Sequence, residues 1–131
     1  MKPEYNPFGD TAEFDHIGIV VGSIENIGIK TGDIFHDPIQ KAKVAFICVH
    51  GFRVEFIEPA TEDSPVINKL KQGEKLVHMC FRTSNLSIAL KNARKSGFHP
   101  MSRPKPAVAF DNRKIVWLYS KVFGLIELVE E

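Results

Sequence analysis

The sequence predicts an α+β fold assembled from two copies of one module: a strand, a helix and three further strands. Three observations lead there. Phe14-Asp15-His16-Ile17-Gly18-Ile19-Val20-Val21 is echoed by Leu76-Val77-His78-Met79-Cys80-Phe81-Arg82, each run carrying its histidine at the third position. Val54-Glu55-Phe56-Ile57-Glu58 is echoed by Ile126-Glu127-Leu128-Val129-Glu130. A helical pattern, Leu86, Ala89, Leu90 and Ala93, lies between strand-like runs of the second half.

Each element has a local reason. Residues 1–13 read as a tail, because Pro3 and Pro7 bracket polar residues without periodicity. Residues 14–131 form one domain, with a first module over about 14–60 and a second over about 76–131. Phe14–Val21 is a β-branched strand with Ile17, Ile19 and Val21 on one face and His16 and Gly18 on the other. Ser23–Lys30 is a weak helix candidate, since Gly28 and Gly32 break up the segment. The first-module helix is therefore expected to be short or missing.

Lys43–Val49 and Phe52–Glu58 are strands joined through His50-Gly51, a two-residue hairpin turn. Ser64 is placed to cap a short helix with Pro65 at its first position and Gly73 beyond its end. Asn85 and Gly97 bracket the second-module helix. Phe98–Arg103 reads as an edge strand, which its proline tolerates. Lys114–Tyr119 and Leu125–Glu130 make a closing hairpin.

Bulk properties narrow the function. A length of 131 residues supports a real core, and a net charge of +1 with interspersed signs gives no footprint for nucleic acid. No apolar run approaches the roughly 18 residues of a membrane span, and the N-terminus has no signal-like apolar core. The expectation is a cytoplasmic protein without membrane or nucleic-acid partners. Cys48 and Cys80 sit in apolar runs and read as buried, reduced thiols.

Strand parity supplies the candidate site. Seven of the eight neighbours of His16, Glu55, His78 and Glu127 are apolar, so the face opposite these four residues is expected to be the buried one. The four then project together from the non-core side into a trough between the modules. Alone, each would be an ordinary solvated side chain; their equivalent placement in both halves sets them apart. Two imidazoles and two carboxylates suit a divalent ion such as Zn, Ni, Co, Mn or Fe, with positions left for water or substrate. Arg53 and Arg82, on the same side, are candidates to bind a substrate carboxylate or phosphate. Trp117 and Tyr119 share a strand face and could line a ligand pocket. His50 reads as a turn residue, and His36-Asp37 as solvated loop.

These segments, together with Glu62-Asp63-Ser64-Pro65 and Gly124-Leu125, resemble the vicinal oxygen chelate superfamily. That superfamily includes glyoxalase I, methylmalonyl-CoA epimerase, fosfomycin resistance proteins and extradiol dioxygenases. The resemblance runs from about Phe14 to Glu131 and is nearest in flavour to methylmalonyl-CoA epimerase or glyoxalase I. It implies two βαβββ modules forming a curved eight-stranded mixed sheet around a metal, often in a homodimer. It also implies that His16, Glu55, His78 and Glu127 are the ligands. The epimerases of that family carry a second glutamate base in the third strand of the first module, and alignment by pattern puts Ala45 there.

The functional expectation is a divalent-metal-dependent isomerase or lyase that moves a proton beside a carbonyl or thioester, with a CoA thioester as one candidate substrate. Glu127, or Glu55, would carry the proton. The alternative is a non-catalytic protein that binds or sequesters a small molecule in the trough.

Overall fold

The computed structural model describes residues 2–131. Its strands are β1 (Glu13–Val20), β2 (Phe35–Asp37), β3 (Ala42–Val49), β4 (Phe52–Pro59), β5 (Leu76–Thr83), β6 (His99–Pro100), β7 (Lys105–Ala107), β8 (Arg113–Ser120) and β9 (Gly124–Glu130). The helices are α1 (Ile67–Lys71) and α2 (Leu86–Lys95). Eight strands follow the order β2-β3-β4-β1-β5-β9-β8-β6, and short β7 pairs with β8.

The duplication is visible in that order. β1 runs parallel to β4 and β5 runs parallel to β9, while β1 and β5 meet antiparallel at the junction of the halves. The mixed sheet curls until it is nearly closed. Its two ends are tied where Trp117 Nε1 of β8 donates to Gln40 Oε1, beyond β2, at 3.0 Å.

Local chemistry explains the elements. His50 and Gly51 both adopt positive φ, 48° and 85°, as a tight hairpin turn between β3 and β4 requires. Asn85 caps α2 by accepting from the Ile88 N–H at 3.1 Å. At the other end Phe98 N–H reaches the Ala93 carbonyl at 3.0 Å, past Gly97 at a φ of 84°.

Elsewhere the sequence reading needs correction. Helix α1 starts at Ile67, and Ser64 gives it no side-chain cap; its hydroxyl is buried without a partner. The predicted edge strand Phe98–Arg103 contracts to His99–Pro100. His36 and Asp37 belong to β2 rather than to a loop, and Asp37 is buried. Cys80 is buried as expected, but Cys48 is exposed near the end of β3. No helix forms between β1 and β2.

The missing helix is replaced by loop side chains. On the convex side of the second module, α2 presents Leu86, Ala89, Leu90 and Ala93 to Val116, Leu118, Ile126 and Leu128. On the first module, Ile24 takes that role against Ala45, Val54 and Phe56, with Ile27 and Ile34 beside it. Glu58 fixes this loop by accepting from the Ile24 N–H at 2.8 Å. The segment read as a tail is docked as well. Phe8 is 5% exposed, packs in the α2 core and meets the rings of Phe81 and Phe98 at 5.2 and 5.0 Å.

No helix among the described residues is long and apolar enough to cross a membrane.

Candidate metal centre

Four strands of the concave face each contribute one residue: His16 from β1, Glu55 from β4, His78 from β5 and Glu127 from β9. The register makes them meet. Gly18 lies beside both Glu55 and His78, and Cys80 beside both His16 and Glu127. Gly18 has no side chain for a reason of space. A Cβ there would overlap the His78 imidazole, which lies directly over the glycine.

Parity correctly grouped the four residues, but it assigned them the wrong exposure. All four are buried, at 0 to 5% exposure, because the curled sheet encloses its concave face. Phe110 stacks on His16 with ring centroids 5.8 Å apart, Phe46 stands edge-on at 5.6 Å, and Trp117 stands edge-on to His78 at 4.8 Å. Alternation along one strand cannot reveal that a sheet is covered on both sides.

The spacing of the donor atoms fits a single divalent ion. His16 Nε2 and His78 Nε2 are 3.2 Å apart. His16 Nε2 lies 3.3 Å from both Glu55 Oε1 and Glu127 Oε1, and His78 Nε2 lies 3.5 and 3.3 Å from them. All four groups fall within 4.8 Å of one another. Nitrogen and oxygen donors bound to one ion at about 2.0–2.2 Å are separated by roughly 3–3.5 Å. In addition, Glu127 Oε1 is buried without a hydrogen-bond partner. A buried carboxylate oxygen without donors implies a cation as its partner.

The charged groups of the cluster also act on one another. Burial alone would lower the pKa of His16, but Asp15, Cys80, Glu127 and Glu55 outweigh it and hold the ring well above its ordinary range. Burial would raise the Glu127 pKa, and the two histidines reverse this, so the carboxyl is ionised far below its usual range. Burial, reinforced by the Glu127 charge, pushes the Cys80 thiol up, so Cys80 stays a neutral thiol.

Glu55, His78 and Glu127 reach a cavity of about 310 Å³. Its walls are largely apolar, with Val44, Ile57, Val66, Ala107, Phe110 and Leu125 among them, and Trp117 also lines it. Tyr119 does not; it is half exposed on β8 and pairs with His99. Arg53 and Arg82 do not line the cavity either. Arg53 Nη1 bonds Asp15 Oδ2 at 2.9 Å and its guanidinium stacks on Phe46 at 4.0 Å. Arg82 binds the Phe14 carbonyl, Glu13 and Asp15.

Ala45 is also relocated. It pairs with Phe56 and faces the convex core, while its neighbours Val44 and Phe46 pair with Ile57 and Glu55 and face inward. The inward side of β3 near the centre is therefore apolar whichever residue is chosen.

Residues 15–117 match the sequence profile of the glyoxalase/bleomycin resistance protein/dioxygenase superfamily. The chain belongs to this superfamily. It is 20% identical to mitochondrial methylmalonyl-CoA epimerase of Mus musculus, over 95% of this chain and 76% of that one. It is 21% identical to the ethylmalonyl-CoA/methylmalonyl-CoA epimerase of Cereibacter sphaeroides, over 87% and 94%. Among solved structures, a hypothetical protein of Bacillus halodurans superposes with a TM-score of 0.78 at 23% identity, over 93% of this chain and 96% of that one. The Mycobacterium tuberculosis methylmalonyl-CoA epimerase superposes with a TM-score of 0.74 at 21% identity, over 89% and 86%. The curved, duplicated sheet expected from the sequence is the fold these neighbours share.

Proposed function

We propose that this superfamily member is a divalent-metal-dependent isomerase or lyase that moves a proton at the carbon beside a carbonyl or thioester. The observation that carries this reading is the buried His16–Glu55–His78–Glu127 cluster opening onto an apolar cavity. Relatives named as methylmalonyl-CoA epimerases, and a solved epimerase bound to methylmalonyl-CoA, support a CoA thioester as one candidate substrate class. A cytoplasmic homodimer belongs to the same proposal.

His16, Glu55, His78 and Glu127 would hold the ion, and a bound divalent ion supplies Lewis-acid polarisation of a substrate oxygen. The chain's own groups do the rest. The apolar walls exclude water from the acidic carbon and hold the carbon skeleton of the substrate. Glu127 takes the proton and returns it through a carboxylate oxygen not engaged with the ion, with Glu55 as its pseudo-symmetric counterpart.

The apolar inward face of β3 limits this chemistry. No carboxylate of β3 stands opposite Glu127; the further carboxylate that lines the cavity is Asp37 of β2, buried and accepting from the Ile39 and Gln40 N–H groups at 3.0 Å, and it is the candidate for a second proton-transfer group.

The test is solvent exchange. Metal-loaded protein incubated in deuterated water with short acyl-CoA thioesters and 2-hydroxy or 2-oxo acids should introduce deuterium at the carbon beside the carbonyl, followed by NMR. Binding of a compound without exchange would favour the sequestering reading instead.

A further inference from the structure

We infer that Asp15 is a positioning residue, one that fixes His16 for metal binding from behind and is itself anchored by Arg53 and Arg82. The inference rests on the proposed metal centre and adds a residue to it.

The geometry comes from an irregularity in β1. Phe14 pairs with Phe81 and His16 with Cys80, so two steps on β1 span a single step on β5 and Asp15 is the extra residue. This is a β-bulge, and bulges re-aim side chains. In a regular strand Asp15 and His16 would face opposite sides. Here Asp15 Oδ2 lies 2.7 Å from His16 Nδ1.

The carboxylate is held in turn. Arg53 Nη1 reaches the same Oδ2 at 2.9 Å and Arg82 Nη1 lies 3.5 Å from Oδ1. Asp15's side chain is 9% exposed. Arg53 cannot swing freely, because its guanidinium stacks on Phe46, which also stands edge-on to the His16 ring. With Nδ1 engaged by Asp15, the other ring nitrogen, Nε2, is the one left for the centre.

The two histidines are therefore supported differently. His78 Nδ1 is buried with no partner, and its ring is placed by packing between Gly18 and Trp117. His16 alone has a carboxylate behind it. Such outer partners fix the tautomer and orientation of a ligating imidazole and raise its basicity. A purely structural role for Asp15, as a surface ion-pair hub, would leave the imidazole's metal affinity unchanged.

Three measurements test this together. Wild-type, D15N and D15L proteins are titrated with Co²⁺ and with Zn²⁺ in competition with a chelator. Expected are unchanged stoichiometry, a roughly 10–100-fold weaker Kd in the variants, larger for D15L, and an altered Co²⁺ absorption spectrum. The zinc-loaded wild type is then examined by ¹⁵N NMR, which needs no variant to fold. His16 should carry its proton on Nδ1. Kd values within twofold of wild type with an identical spectrum, or His16 bound to zinc through Nδ1, would overturn the role of Asp15. Failure of the wild type itself to bind either metal would instead overturn the metal centre, so the two failures are distinguishable.

Discussion

Gly18→Ala is expected to weaken the proposed metal site strongly while leaving the chain folded, one of the two largest effects the structure predicts. Gly18 lies in β1 opposite His78, and the imidazole occupies the volume that a Cβ would need. The ring and the backbone cannot both keep their places. Trp117 stands edge-on to the His78 ring at 4.8 Å, and Gly18 is paired with both β4 and β5 within the sheet. The ring must therefore leave its position. Overpacking by one methyl costs about 1–3 kcal/mol of stability, within what a domain of this size can tolerate. A displaced ligand costs much more in binding, and we expect metal affinity to fall by about 100-fold or more. Circular dichroism and a Co²⁺ titration of the same sample decide it. A folded G18A protein with wild-type affinity would mean that His78 does not bind the ion in the arrangement described.

Glu127→Gln carries the second large effect. The substitution keeps shape and removes charge and basicity. Proton transfer by a positioned carboxylate is worth about 10²–10⁴-fold, so deuterium exchange by metal-reloaded E127Q should fall by that factor. Glu55 sits at the equivalent point of the other module, so E55Q is the comparison. It should weaken metal binding yet retain measurable exchange once reloaded. Exchange lost in E55Q and kept in E127Q would transfer the proton-moving role to Glu55. Exchange kept in both would contradict carboxylate-mediated proton transfer at this centre.

Much of this architecture was legible because the duplication repeats both chemistry and pattern. The His-containing strands and the Glu-containing strands sit at the same points of each half, and they pair as β1 with β4 and β5 with β9. Parity grouped His16, Glu55, His78 and Glu127 on one face. What a single strand cannot report is curvature, so the same argument left buried residues on a supposed open trough. Bulges are equally silent. Strict alternation places Asp15 away from His16, and only the β1–β5 register shows them together. The adjacent pair Asp15-His16 was the available signal, but it conflicted with parity. Arg53 and Arg82 were assigned to the right side of the sheet, and the Asp15 carboxylate they engage follows from that same bulge. Ala45 illustrates the opposite error, because a one-residue slip in register moves a side chain to the other face.

The central claim is that these four side chains hold a divalent ion, and metal content per chain tests it most directly. Untagged protein, assayed as purified and after reloading, should carry about one transition-metal ion per chain, and the His78→Ala variant should carry far less. Absence of metal from the wild type even after reloading would contradict the account and leave the cavity as a site for ligand binding alone.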